Sequence, residues 1–305
     1  MNEPDFAAAQ HVQFIDYKAV DWRSVRRTRF QFYQRFHYAY PGPIQNLKQR
    51  LIVIPADRYA AQKVHEHHLA ITPVPLAKRQ TIDSFGNRIL DVEVPQADQA
   101  VTFELLMIIE NERQSAPLPP IAPDSVAYWL QPTSLTLPDP HIHAVARQLQ
   151  ATTTTPYDLA LRIHAWVYDT MHYQSGVTTV DTTAAEALRL GKGMCQDYAH
   201  LMLAICRAAG VPARYVSGHL LGEGSSHAWV EVFLPTAAGF NRVAFDPTNN
   251  REPHMGYITV AVGRDYRDVS PTSGSFTAPY GGQLSYSKRA GLTLVEYTDG
   301  QTLQS

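Results

Sequence analysis

GKGMCQDYAH, residues 191–200, places Cys195 two residues after a Gly-Lys-Gly run and at the head of a stretch of good helix formers. A thiol there is either a small apolar filler or a nucleophile held at a helix start. The pattern predicts a helix from Met194 to Ala209, closed by Gly210. In its first turn the unpaired backbone N–H groups and the positive end of the helix dipole favour a thiolate, the reactive form of cysteine. Those same N–H groups can receive the oxyanion of an acyl intermediate. The second cysteine is an internal control. Cys206 lies three turns along the same helix, about 16 Å away at ~1.5 Å per residue, which is too far for a disulfide. Set between Ile205 and Arg207, it reads as a packing residue.

Working back from this helix, three shorter ones are expected. Asp139 and Pro140 make an N-cap and first-turn proline ahead of HIHAVARQLQ (141–150). Thr155, Pro156 and Asp158 cap YDLALRIHAWVYDTM (157–171), where Leu159, Ile163, Trp166 and Val167 form an apolar stripe. TTAAEALRL (182–190) is the third, with Gly191 placed to end it. Upstream of about residue 114 the period changes from helical to alternating. RFQFYQRFHYAY (29–40), QRLIVIP (49–55), HHLAITPVPL (67–76), ILDVEVP (89–95) and AVTFELLMIIE (100–110) read as strands. Prolines and the Gly86-Asn87 pair punctuate them, as in an antiparallel β-sandwich. SAPLPPIAPDS (115–125) and LQPTSLTLPDP (130–140) read as a stiff connector. The expected organisation is α+β: a β-rich unit over residues 1–135, with the connector from about 115, and a second unit over 136–305.

A thiolate needs a base, and His227 opens the alternating run HAWVEVFL after the glycine- and serine-rich LGEGSS (221–226). The base needs an orienting group. A hairpin connected through PTAAGF (235–240) sets His227 opposite Asp246, with Cβ atoms ~5 Å apart. A carboxylate at that distance holds an imidazole by hydrogen bond. Pro247 then ends the strand and leaves Asp246 at the same rim.

Composition excludes several other classes. With 26 Lys and Arg against 28 Asp and Glu, the net charge of −2 offers no field to recruit nucleic acid or an anionic membrane. The arginines at 23, 26, 27, 29 and 35 read as a solvated strand face. No window reaches the ~18 apolar residues of a membrane span. MNEPDFAAAQ (1–10) lacks a basic n-region and an apolar core, and two cysteines make no disulfide framework, so a cytoplasmic location is expected. HEHH (65–68), His141 and His143 lack a matching ligand cluster, and GKG (191–193) lacks phosphate-loop spacing. Neither metal nor cofactor is expected. Gly193 is expected to let a substrate backbone approach Cys195, and Trp166 and Trp229 to be core residues.

GKGMCQDYAHLMLAICRAAGVPARYVSGHL (191–220), HAWVEVFLP (227–235) and FDPTNN (245–250) together resemble the core motifs of the bacterial transglutaminase-like superfamily. The likeness runs over about 155–270 and continues into VGRDYRDVSP (262–271). The β-rich region with DSFGN (83–87) resembles the N-terminal domain often joined to such cores. The resemblance implies a papain-like core, in which a cysteine-bearing helix packs on an antiparallel sheet carrying histidine and aspartate. It assigns Cys195 as nucleophile, His227 as general base and acid, and Asp246 as its orienter. The implied reaction is acyl transfer on a peptide or protein amide through a thioester. Water as acceptor makes a protease or amidase, and an amine makes a transglutaminase; a non-catalytic binding module on the same scaffold is the third reading. Hydrolysis is favoured. The second oxyanion donor is not identified, with Tyr173 and Gln174 as upstream candidates. Where family members often carry a glycine-tryptophan pair before the aspartate strand, this chain has AAGFNRVAFDP (237–247).

Overall fold

The computed structural model describes residues 6–9, 11–113 and 118–305. After a single-turn α1 (Phe6–Ala9), the alternating aromatic run forms β1 (Val25–Ala39). There follow β2 (Ile44–Leu51), β3 (Arg58–Tyr59), β4 (Gln62–Thr72), β5 (Ala77–Ile82), β6 (Arg88–Ala97) and β7 (Ala100–Glu112). Period-two alternation decides the core. Along β7, Val101, Phe103, Leu105, Met107 and Ile109 point inward, and they meet Phe30, Phe32 and Phe36 of β1 and Leu90, Val92 and Val94 of β6. The DSFGNR turn closes on Asp83, whose Oδ1 accepts from the N–H groups of Phe85 and Asn87 at 2.8 Å each, with Gly86 at φ 88°.

The stretch read as a connector is partly built structure. Residues 114–117 lie outside the described part. Beyond them Ile121 bridges to Phe240, and Pro123 takes the first position of α2 (Pro123–Leu130). That helix buries Val126 and Trp129 against Phe233, so the prolines start a packed helix and do not act as a spacer.

α3 (Pro140–Gln150) and α4 (Pro156–Thr170) carry the expected caps: Asp139 accepts from the N–H of Ile142 at 2.9 Å, and Thr155 from that of Asp158 at 3.1 Å. A short β8 (His172–Tyr173) leads to α5 (Ala184–Leu190), which ends on left-handed Gly191 at φ 63°. β9 (Lys192–Gly193) pairs with β8 and delivers the chain into α6 (Cys195–Ala208). α6 is buried almost all round. It lies on β10 (Ala213–Leu220) and β11 (His227–Thr236), with α3, α4 and α5 around its other sides. With β12 (Gly239–Phe245) and β13 (Tyr257–Gly263) these strands make an antiparallel sheet in the order β12-β11-β10-β13.

The final strands return to the first unit. β14 (Thr272–Thr277) pairs with β2, and β15 (Gln283–Tyr297) pairs with β1 along nearly its full length, with β16 (Thr302–Gln304) outside it. The sandwich sheets therefore run β16-β15-β1-β7-β4-β3 and β14-β2-β6-β5. This corrects the expected division at 135/136: the sandwich takes strands from both ends of the chain, and the helical core is inserted between them. Local patterning marks a strand but not a partner some 250 residues away.

Side-chain amides join the two units. β13 is an edge strand, and the sandwich covers its open backbone groups. Asn87 donates to Val262 O and accepts from Val262 N at 2.8 Å each, and Gln62 does the same for Thr259. Each amide imitates a neighbouring strand's peptide and satisfies one buried donor and one buried acceptor. Asn87→Ala should therefore lower unfolding free energy by about 2–4 kcal/mol, because two buried backbone groups lose their partners. Denaturant titration checks this, and a loss below ~0.5 kcal/mol would contradict the clasp.

Candidate active site

Cys195 occupies the first helical position of α6 and is 9% exposed, so its sulfur lines a cavity while its N–H is among those the helix leaves unpaired. The turn before it is fixed by Asp197. Its Oδ2 accepts from the N–H of Met194 and from Thr178 Oγ1, each at 2.7 Å. A Cβ on Gly193 would meet that Oδ2 at 2.5 Å. The room that Gly193 leaves is therefore filled by the helix's own capping carboxylate, and not by substrate as expected. Cys206 is fully buried, and burial pushes its thiol up to about 12. The two cysteines of one helix thus sit in opposite surroundings.

His227 begins β11 and is 2% exposed. Its Nε2 lies 2.8 Å from Asp246 Oδ2. The other ring nitrogen, Nδ1, makes no hydrogen bond but lies 3.2 Å from Glu223 Oε2, in the loop just ahead of the strand. Burial disfavours a charged ring here. Asp246, the sulfur of Cys195 and Glu223 together outweigh it, and His227 titrates well above the ordinary histidine range. Cys195 and His227 line one cavity of about 260 Å³, with hydroxyl groups of Thr178, Ser217, Ser225 and Ser226 around it.

Asp246 is fully buried. Burial alone would raise its carboxyl, but the bonds from His227, Tyr257 and Asn249 hold it below the usual value, so it stays ionised. Oδ2 accepts from Tyr257 OH at 2.6 Å and Asn249 Nδ2 at 2.8 Å, and Oδ1 accepts from the N–H groups of Thr248 and Asn249. His164 of α4 reaches the Asp246 carbonyl at 2.9 Å through Nε2. Arg251 Nε donates to Tyr257 OH at 2.9 Å. The sandwich joins this support too, since Asn111 Nδ2 donates to the carbonyls of Met255 and Tyr257 on either side of Gly256.

All three residues singled out from the sequence are brought together, but the register was two residues out. The hairpin closes on Ala237 and Ala238, with Thr236 paired to Gly239 and Val230 to Phe245. His227 pairs with Gly218 of β10 instead. A slip of two keeps every side chain on its face, whereas a slip of one would have turned Asp246 away. Tyr257, Asn249 and His164 were missed. His164 had a signal, as a histidine next to Ile163 of the apolar stripe; Tyr257 had none.

The remaining candidates fall elsewhere or on the margin. Tyr173 and Gln174 reach the nucleophile's turn because β8 pairs with β9, and Gln174 N donates to Gly193 O at 2.9 Å. Burial chiefly raises the Tyr173 hydroxyl, and the neighbouring Cys195 and Glu223 add to that shift. In HEHH, His65 lies 3.4 Å from Glu110 and His67 packs on Arg88. Arg26, Arg27 and Arg29 pair with Glu296 and Glu110, so part of that arginine face is balanced within the sheet. Trp229 is core and Trp166 half-buried. A larger cleft of about 1080 Å³ lies between Trp22 and Tyr257, but neither Cys195 nor His227 lines it. Among the described residues no helix is long and apolar enough to cross a membrane.

Comparison with known proteins agrees with this fold. Residues 143–247 match the family model of the transglutaminase-like superfamily, and residues 30–110 that of the bacterial transglutaminase-like N-terminal region. An uncharacterized protein of Mycobacterium leprae is 37% identical over 158 residues, which is 48% of this chain and only 54% of that protein's length. One of Mycobacterium bovis is 30% identical over 280 residues, covering 81% of this chain and 87% of the other. Among solved structures, a candidate cysteine protease from Cytophaga hutchinsonii shares the fold, with a TM-score of 0.73 at 21% identity over 89% of this chain and 93% of that one.

Proposed function

Because this chain belongs to the transglutaminase-like superfamily, we propose that it is a cysteine-dependent acyl-transfer enzyme that opens amide or peptide bonds through Cys195, His227 and Asp246. One observation carries the reading: an imidazole fixed on a buried, ionised carboxylate shares a cavity with the sulfur at a helix start. In this reading the Cys195 thiolate attacks the amide carbonyl carbon. The N–H of Cys195, with a second donor from the Tyr173–Gln174 turn, receives the developing oxyanion. His227, held protonated by Asp246, passes its Nδ1 proton to the leaving amine as the C–N bond breaks. A thioester forms. Neutral His227 then takes a proton from the incoming acceptor, the acyl group leaves the sulfur, and the enzyme returns to its starting state.

Water is the acceptor we favour, which makes the protein a protease or amidase. The hydroxyl-lined cavity supports this by giving water several partners beside the thioester. Incubation with a glutamine-containing peptide and a labelled primary amine tests the assignment. Free acid as the product is the expected result. Dominant amine conjugate would make the chain a transglutaminase, and absence of both with an unreactive Cys195 would leave a binding module.

A further inference from the structure

The cavity around Cys195 and His227 opens toward the sandwich. Ser217, Ser225, Ser226 and Tyr266 line it, and they also line a second cavity of about 180 Å³. Gln34 and Phe36 of β1 and Tyr286 of β15 supply the far wall of that second space. Two of its polar side chains are almost wholly buried and incompletely bonded. Gln34 is 2% exposed and donates through Nε2 to Tyr286 OH at 2.9 Å, which leaves its Oε1 without a partner. His219 is 4% exposed, and its Nδ1 has no partner. Burial keeps that imidazole neutral, so one of its nitrogens is an acceptor. Most buried polar atoms are paired, and two unpaired ones lining one cavity call for a donor from outside. Most of the remaining wall, Ile52, Val53, Val260 and Pro271 among it, is apolar.

We propose that this cavity is a substrate subsite, which takes a neutral side chain with an apolar stem and a hydrogen-bond-donating tip such as a carboxamide or hydroxyl. The inference rests on the acyl-transfer reading and adds a substrate class to it. The groups around the cavity select a neutral donor. An ammonium would approach Lys288, whose Nζ donates to Ser225 O at 2.6 Å on the rim. A carboxylate would set its lone pairs against Gln34 Oε1. The volume holds one mid-sized side chain. The subsite also gives the sandwich a part in recognition, since Gln34 and Phe36 of β1 and Leu284 and Tyr286 of β15 line it.

Four chloroacetamides that differ only in their tails test this: carboxamide, the alkyl tail of equal size, carboxylate and ammonium. In each the Cys195 sulfur bonds to the methylene carbon as chloride leaves, and the rate is divided by that with iodoacetamide, which has no tail. The carboxamide should react at least tenfold faster than the other three. Gln34→Leu should erase or reverse its advantage over the alkyl tail without altering the iodoacetamide rate. Leu284→Trp, at the exposed mouth of the cavity, should slow all four tails and spares the interior should the first variant fold poorly. Equal rates for the four tails, or a preference that neither variant changes, would overturn the subsite while leaving the acyl-transfer reading standing. Failure of iodoacetamide to label Cys195 at all would overturn both.

Discussion

Cys195→Ala is expected to cut amide turnover by at least ~10⁴-fold with the fold intact. The size of the effect follows from what is removed. Every step of the proposed path passes through a bond to this sulfur, and the rest of the site can supply only binding and oxyanion stabilisation. The side chain lies on a cavity wall at a helix start, so truncation leaves little core packing undone. Cys206→Ala should behave in the opposite way. That side chain is fully buried three turns away, and its loss opens a void that costs about 1–2 kcal/mol of stability while turnover is kept. Measuring turnover and melting temperature for both variants checks the pair. Equal turnover in Cys195→Ala and wild type would end the enzyme assignment.

Asp246→Asn is expected to lower turnover by about 10³- to 10⁴-fold, the loss that follows when an orienting carboxylate becomes an amide. The buried carboxylate holds His227 Nε2 at 2.8 Å and stabilises the charged ring. An amide offers at most a neutral hydrogen bond and carries no charge to stabilise the ring. The pH dependence should move as well. The raised pKa of His227 keeps the imidazolium present well above pH 6.5, and it is lost only as pH climbs through that raised value. With the charge gone, the proton is lost nearer the ordinary range, so the alkaline limb of activity shifts to lower pH. Tyr257→Phe removes a single 2.6 Å donor to the same oxygen but leaves the carboxylate's charge in place, so its alkaline limb should move far less. A variant with full turnover and an unmoved alkaline limb would show that Asp246 does not hold the base.

Much of this was legible in the sequence, for reasons that can be named. The caps at Asp139, Thr155 and Gly191 are local chemistry, in which a side-chain oxygen or a left-handed glycine within a few residues decides the helix end. Cys195 could be placed because helix starts are marked in the same way. The pairing of His227 with Asp246 survived an incorrect loop length only because strand faces repeat every two residues. What stayed hidden was non-local. Nothing near residues 283–297 says that they pair with β1, and nothing near Gln62, Asn87 or Asn111 says that their amides cover β13. Gly193 was misread because the group that fills its space, Asp197, is itself part of the cap.

Mass-spectrometric mapping of iodoacetamide labelling on the native protein at pH 7 tests the central claim most directly. The account predicts alkylation of Cys195 at least ~100-fold faster than of Cys206, with the difference shrinking in Asp246→Asn. Labelling of neither cysteine, or of both at similar rates, would mean that the sulfur at the start of α6 is not activated by its surroundings.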